Sequence, residues 1–216
     1  MVSPKASENS PQTLTAFLRQ RFKPLLERLA RGLAHLGVTP NMVTSLGLAG
    51  NVLAALWLAQ GRITWAGWLL LFIWPLDALD GALARLRGAP TPFGGVLDSV
   101  ADRYAELLVW GGLLVYYLNQ ANPTAILLIY LAAGGSLMVS YTKARGEAQG
   151  FRVEGGLLTR VERFLILVPC LLLNRPLIAM WVIAILANFT ALQRLWIVFR
   201  QASSLPPVNP TTSSQE

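Results

Sequence analysis

Six stretches of mainly apolar residues, each close to the length a helix needs to cross a bilayer, constrain this chain more than any other feature. A hydrocarbon core of about 30 Å takes about 20 such residues. The stretches run approximately from Met42 to Gln60, Ile63 to Arg85, Gly94 to Leu118, Thr124 to Thr142, Leu157 to Leu173 and Leu177 to Val198. Turn chemistry breaks them at Gly61-Arg62, at Gly88-Ala89-Pro90-Thr91-Pro92, from Asn119 to Pro123, from Gly146 to Gly156 and at Asn174-Arg175-Pro176. The expectation is an all-α integral membrane protein whose six transmembrane helices form one domain over residues 37–200. Composition agrees, because 54% of the 216 residues are hydrophobic and only 13% are charged, where soluble domains carry about 25% charged residues. The net charge of +7 therefore does not indicate a soluble nucleic-acid binder. A single cysteine, Cys170, excludes an internal disulfide, and no CxxC or Cys/His cluster offers a zinc site.

Residues 1–12 are polar, lack an apolar core and do not resemble a secretory signal; like residues 201–216, they are expected to be disordered. Between them and the first span, residues 13–36 place Phe17, Leu18, Phe22, Leu25, Leu26, Leu29 and Leu33 at helical spacing against Arg19, Arg21, Lys23, Arg28 and Arg31. That pattern fits an amphipathic helix on an anionic membrane surface, or a solvated helix packed on protein. All basic residues except Arg62 and Arg175 fall on one side of the spans. The positive-inside rule then places both termini and the basic connections in the cytoplasm, with the protein multi-pass in the cell membrane.

The four aspartates, Asp77, Asp80, Asp98 and Asp102, lie within the second and third spans. Each costs about 2.5 to 3.5 kcal/mol at a helix centre in lipid, so they must face a protein cavity. Residues three or four apart share a helix face, which puts Asp77, Asp80, Gly81, Ala84 and Arg85 on one stripe and Asp98 and Asp102 on another. Two unit charges about 5 Å apart repel by roughly 3 kcal/mol at an effective dielectric near 20. Cations relieve that repulsion, and hard oxygen donors suit two Mg²⁺ or Mn²⁺ ions clamping a phosphate. A proton or ion pathway, as in a divalent-cation transporter, is the other use of such acids.

From Asp77 the chain reads D-A-L-D-G-A-L-A-R, then eight residues, then G-G-V-L-D-S-V-A-D. This resembles at every fixed position the DxxDGxxAR(x)8GxxxDxxxD signature of the CDP-alcohol phosphotransferase family. The resemblance implies an integral membrane enzyme that moves a phosphatidyl-type group from a CDP-lipid, diacyl or archaeol, to an acceptor alcohol and releases CMP. By motif position Asp77 and Asp98 would bridge two metal ions, Asp80 would complete the first and Asp102 the second, with Asp102 also the general base. Gly81 and Ala84 would leave room for cytidine and Arg85 would meet the diphosphate. Asn41, Met42, Val43 and Thr44, together with Thr91 and Gly94, match nucleotide-contacting positions. A plain cap by Thr39 or Asn41 is the structural alternative for the first of these segments. A homodimer is also implied, with Gly111-Gly112 and Gly134-Gly135 suited to close helix approach.

The run from Ser140 to Ala148, followed by Gly155-Gly156 and Arg160-Val161-Glu162-Arg163, resembles the corresponding segment of phosphatidylinositol phosphate and archaetidylinositol phosphate synthases. There the acceptor is a phosphorylated inositol held by basic residues matching Lys143, Arg163 and Arg194, with Arg145 and Arg160 beside them. An acceptor carrying a dianionic phosphate calls for such a cluster. The positive-inside rule alone would also place basic residues there, and glycerol 3-phosphate is the rival acceptor. Glu106, one turn beyond Asp102, is expected to pair with Arg103 or Arg85 rather than to bind metal.

Overall fold

The computed structural model describes residues 14–86, 91–153 and 155–204, apart from the side-chain surroundings of residues 14–23, 25, 77 and 78. The 1–12 lead-in, the Gly88-to-Pro90 turn and most of the 201–216 tail lie outside these residues. Within them the chain is all helical. Its elements are α1 (Leu14–His35), α2 (Pro40–Ala59), α3 (Ile63–Leu86), α4 (Pro92–Asn119), α5 (Pro123–Ala148), α6 (Arg160–Leu172) and α7 (Pro176–Ser203).

Proline opens four of these helices, α2, α4, α5 and α7, where its missing N–H costs nothing and its fixed φ suits the first turn. The connections at 60–62, 120–122 and 173–175 end the preceding helix in the same way. Gly61, Ala121 and Asn174 each adopt positive φ. The next N–H returns to the carbonyl five residues earlier, Arg62 to Trp57 at 2.8 Å, Asn122 to Tyr117 at 3.1 Å and Arg175 to Cys170 at 2.7 Å. This is the Schellman termination, and it makes α2–α3, α4–α5 and α6–α7 three hairpins of one design. No fixed period in the sequence announces that repetition.

The packing closes a ring. α2 packs on α3 and α4, α4 on α5, α5 on α7, α7 on α6, and α6 on α3, so α4 and α6 stand opposite each other. Gly112 and Gly135 make two of these seams tight, since an added Cβ would stand 2.5 Å from the Ala55 carbonyl oxygen and 2.6 Å from Asn188 Nδ2. Gly111 and Gly134 have open space, so close approach within one chain accounts for one glycine of each pair. Leu58, Leu70, Leu113, Leu171, Met180 and Ile183 fill the interior nearest the three hairpin turns and are wholly buried.

Among the described residues three helices, α2, α5 and α7, are long and apolar enough by length and composition to cross a membrane. The fifth expected span is shortened in the structure: α6 has 13 residues, about 20 Å at 1.5 Å per residue, because residues 157–159 are not helical. Trp65, Phe72, Tyr130, Ile185 and Leu192 are each at least 60% exposed on the outer faces, a surface suited to lipid. α1 is a single helix that contains Pro24 and packs chiefly along α3. Ala30 is buried there, with Leu26 and Leu33 against Leu79 and Leu83.

Candidate functional site

α3 and α4 do not pack chiefly on each other as a simple hairpin would; each lies on α2, and α2 supplies the first partner of the acidic stripes. Thr39 caps α2 by accepting the Met42 N–H at 3.3 Å. The first turn then presents exposed Asn41 and Met42, buried Val43, and Thr44. Thr44 donates its hydroxyl to Asp80 Oδ2 at 2.8 Å. Asp80 is only 5% exposed, so a carboxylate that would be costly to bury alone acquires a hydrogen bond. Asp77 lies one turn earlier on α3; its side chain is outside the described residues. Gly81 and Ala84 follow on the same face, half-buried, and exposed Arg85 ends it. The Arg85 guanidinium lies over Gly81, where an added Cβ would meet Nη1 at 3.6 Å.

α4 begins with Thr91 capping the Gly94 N–H at 3.1 Å and carries Asp98, Asp102 and Glu106 along one face. Residues one turn apart on that face meet α6 from the far side of the ring. Arg160 Nη1 pairs with Asp102 Oδ1 at 2.6 Å, while Arg103 reaches Asp102 Oδ2 at 3.4 Å. The same Arg160 guanidinium stands 5.9 Å from the centre of the Trp74 ring. Arg163, 2% exposed, donates from Nε and Nη2 to the two Glu106 oxygens at 2.7 and 2.9 Å. Glu106 therefore pairs not with Arg103 or Arg85 but with a residue 57 positions away, because α6 lies across the interior from α4's acidic face. Arg163 also donates from Nη1 to the Leu158 carbonyl at 3.3 Å. These bonds use three of its five N–H donors.

The second buried basic side chain comes from α7. Arg194 is 6% exposed and donates to the Val139 carbonyl of α5 at 2.7 Å and to the Gly155 carbonyl at 3.1 Å. Arg163, Glu147 and Glu162 lie within its electrostatic reach. Lys143 and Arg145 are exposed on the last turns of α5, and Lys143 faces Glu147 at 3.7 Å. The structure thus gathers Asp102, Glu106, Arg160 and Arg163, and joins Asp80 to Thr44, while Lys143 and Arg145 stay at the periphery. A groove of about 600 Å³ lies elsewhere, on another face of α4, lined by Val96, Ser99, Val100, Arg103 and Leu107 with Leu137 of α5.

Among the described residues no three carboxyl, imidazole or thiol side chains converge as ligands of one metal ion, and the fourth aspartate, Asp77, is outside that set. The donor chemistry nevertheless fits a hard divalent cation, because Asp80 is a buried carboxylate with a hydroxyl oxygen, that of Thr44, beside it.

Thr190 and Gln201 escape the sequence reading. Thr190, wholly buried, accepts the Leu158 N–H at 3.1 Å. The Gln201 side chain bonds both the N–H and the carbonyl of Arg152 at 3.0 and 2.7 Å. Their spacing of four and seven residues from Arg194, which keeps all three near one face of α7, was the available signal.

Residues 37–193 match the CDP-alcohol phosphatidyltransferase family. A phosphatidylinositol phosphate synthase of Mycobacteroides abscessus is 35% identical over 207 residues, covering 92% of this chain and 94% of that one. The crystal structure of the Mycobacterium tuberculosis phosphatidylinositol phosphate synthase with CDP-DAG bound has a TM-score of 0.76 at 33% identity, covering 82% of this chain and 94% of that one. The same enzyme in complex with manganese and citrate has a TM-score of 0.74 at 34% identity, with 81% and 88% covered. With its DxxDGxxAR and GxxxDxxxD segments on α3 and α4, this chain belongs to the CDP-alcohol phosphatidyltransferase family.

Proposed function

We propose that this protein transfers the phosphatidyl group of CDP-diacylglycerol, or of an archaeol-type CDP-lipid, to inositol 1-phosphate, giving phosphatidylinositol phosphate and CMP. The observation that carries this reading is the meeting of an acidic face on α4 with two arginines of α6 across the ring, one of them buried beside Arg194. The acids suit the diphosphate donor with its cations, and the arginines suit an acceptor that brings its own phosphate.

Asp77, Asp80, Asp98 and Asp102 would hold two divalent ions, and Mg²⁺ or Mn²⁺ would supply charge neutralisation on the diphosphate when bound. Thr44 orients Asp80 through its hydroxyl. Asn41, Met42, Val43, Gly81, Ala84, Thr91 and Gly94 line the nucleotide, with Arg85 on the diphosphate. Asp102 takes the proton of the acceptor hydroxyl as that oxygen attacks the lipid-side phosphorus. The bond from that phosphorus to the CMP phosphate breaks, and CMP leaves with the electron pair. Arg163 and Arg194 bind the acceptor phosphate, with Arg160, Lys143 and Arg145 around its entrance.

The enzyme works as a homodimer in the cell membrane, with α2 to α7 as six spans and the short α6 completed by the residues before it. α1 lies at the cytoplasmic face, where its basic residues meet anionic headgroups, and the active site opens on that side.

Metal-dependent CMP release by the purified protein, with CDP-diacylglycerol and inositol 1-phosphate, glycerol 3-phosphate, inositol or serine in parallel, tests the reading. Release with inositol 1-phosphate alone is expected. Release with glycerol 3-phosphate alone would replace the acceptor and keep the mechanism. Release with none, together with cation flux in proteoliposomes, would sink the enzyme reading.

A further inference from the structure

Arg163 is held from two sides, and only one of them is the charged partner Glu106. On the other side its Nη1 donates to the carbonyl of Leu158, a residue that precedes α6 and has no helical hydrogen-bond ladder of its own. That residue's backbone needs an anchor, and Thr190 supplies it at the N–H, one peptide unit before the carbonyl. The Thr190 hydroxyl donates to the Leu186 carbonyl at 2.7 Å, which commits its hydrogen and aims its lone pairs at the Leu158 N–H, 3.1 Å away. Leu158 is itself 2% exposed and Thr190 0%, so water does not compete for either bond. The backbone just upstream is shaped for this contact. Gly156 has φ +124° and lies so near α7 that an added Cβ would stand 2.8 Å from Thr190 Cγ2 and 3.1 Å from Arg194 Nε.

We propose that Thr190 is a positioning residue for the acceptor phosphate: its hydroxyl holds the Leu158 N–H and so the backbone on one side of the Leu158 Cα, and the Leu158 carbonyl on the other side, together with Glu106, fixes the plane of the Arg163 guanidinium. The inference rests on Arg163 binding that phosphate, as argued above. A guanidinium recognises a phosphate through the direction of its paired N–H groups as much as through charge. An arginine free to rotate keeps its charge but loses its aim, and acceptor binding weakens while the donor side is untouched.

The test is Thr190→Val against Thr190→Ser. Valine preserves the shape and the methyl packing and deletes the hydroxyl; serine preserves the hydroxyl and deletes the methyl. Thr190→Val is expected to raise the KM for inositol 1-phosphate by about five- to tenfold, the range of one lost hydrogen bond. The KM for CDP-diacylglycerol should stay within about twofold, and Thr190→Ser should restore the acceptor KM. An unchanged acceptor KM in Thr190→Val, an equal rise in both KM values, or a serine variant no better than valine would each overturn the proposal. If the unmodified protein turns over neither inositol 1-phosphate nor glycerol 3-phosphate, the acceptor reading fails separately. Binding of inorganic phosphate then decides the positioning role: weaker in the valine variant and restored by serine supports it, and equal in all three removes it.

Discussion

Where α2 turns into α3, α4 into α5 and α6 into α7, the bundle encloses Leu58, Leu70, Leu113, Leu171 and Met180; where α3 turns into α4 and α5 into α6, it encloses Asp80, Arg163, Thr190 and Arg194. The same helices run through both ends. At the apolar end short turns of one design return their N–H groups to the preceding helix, the helix seams are tight, and stability comes from packing. At the polar end Asp80 is held by Thr44, Arg163 by Glu106, and Arg194 by carbonyls of α5 and its following connection, each partner coming from another element. Buried ion pairs contribute little net stability over an apolar replacement. The contrast teaches that this end is arranged for binding charge, while the other end holds the helices that make the arrangement possible.

The sharpest way to break that contrast is Asp102→Asn. It should lower kcat by about 10² to 10⁴-fold, the usual span for losing a general base, with CDP-lipid binding retained in an equilibrium binding assay; near-normal turnover would remove Asp102 from the chemistry. Arg163→Ala leaves the half-buried Glu106 carboxylate without its partner and should lower stability by up to about 3 kcal/mol. The double change Arg163→Leu, Glu106→Leu should regain most of that loss in detergent unfolding and still fail to bind acceptor. A double variant as unstable as the single one would mean the pair is structural. At the other end, Leu113→Ala should cost about 2 to 5 kcal/mol of stability and leave both KM values unchanged at a temperature where the protein stays folded. The smallest effect is expected at a hairpin turn. Ala121 sits at φ 50°, where a Cβ costs roughly 1 kcal/mol, so Ala121→Gly should raise stability by about that amount with no kinetic change.

Much of this was legible in the residues. The turns at Gly61, Asn119 to Pro123 and Asn174-Arg175-Pro176 fall where the hairpins form, because Gly, Asn and Pro act on their own backbone and need no tertiary partner. The four aspartates mark α3 and α4 because an acid within an apolar run has few other reasons to be there. The start of α6 was harder to read, since residues 157–159 are apolar enough to extend a span on pattern alone. There the chain exchanges helix for contacts with Thr190 and Arg163, which no local pattern encodes. Glu106 shows the same limit, for a reading confined to its neighbours offers Arg103, whereas its partner arrives from α6.

By itself, then, the sequence determined what depends on local chemistry and fixed spacing: a helical, apolar chain, its turn positions, and a family signature whose acids share helix faces. Only the tertiary structure decided which charges meet. The ring sets α4 opposite α6, so Asp102 and Glu106 are joined to Arg160 and Arg163 across the interior, and α7 brings Thr190 and Arg194 against the connection that leads into α6. A helix face can be read from a spacing of three or four residues, but the partner of that face is set by the packing of the whole bundle.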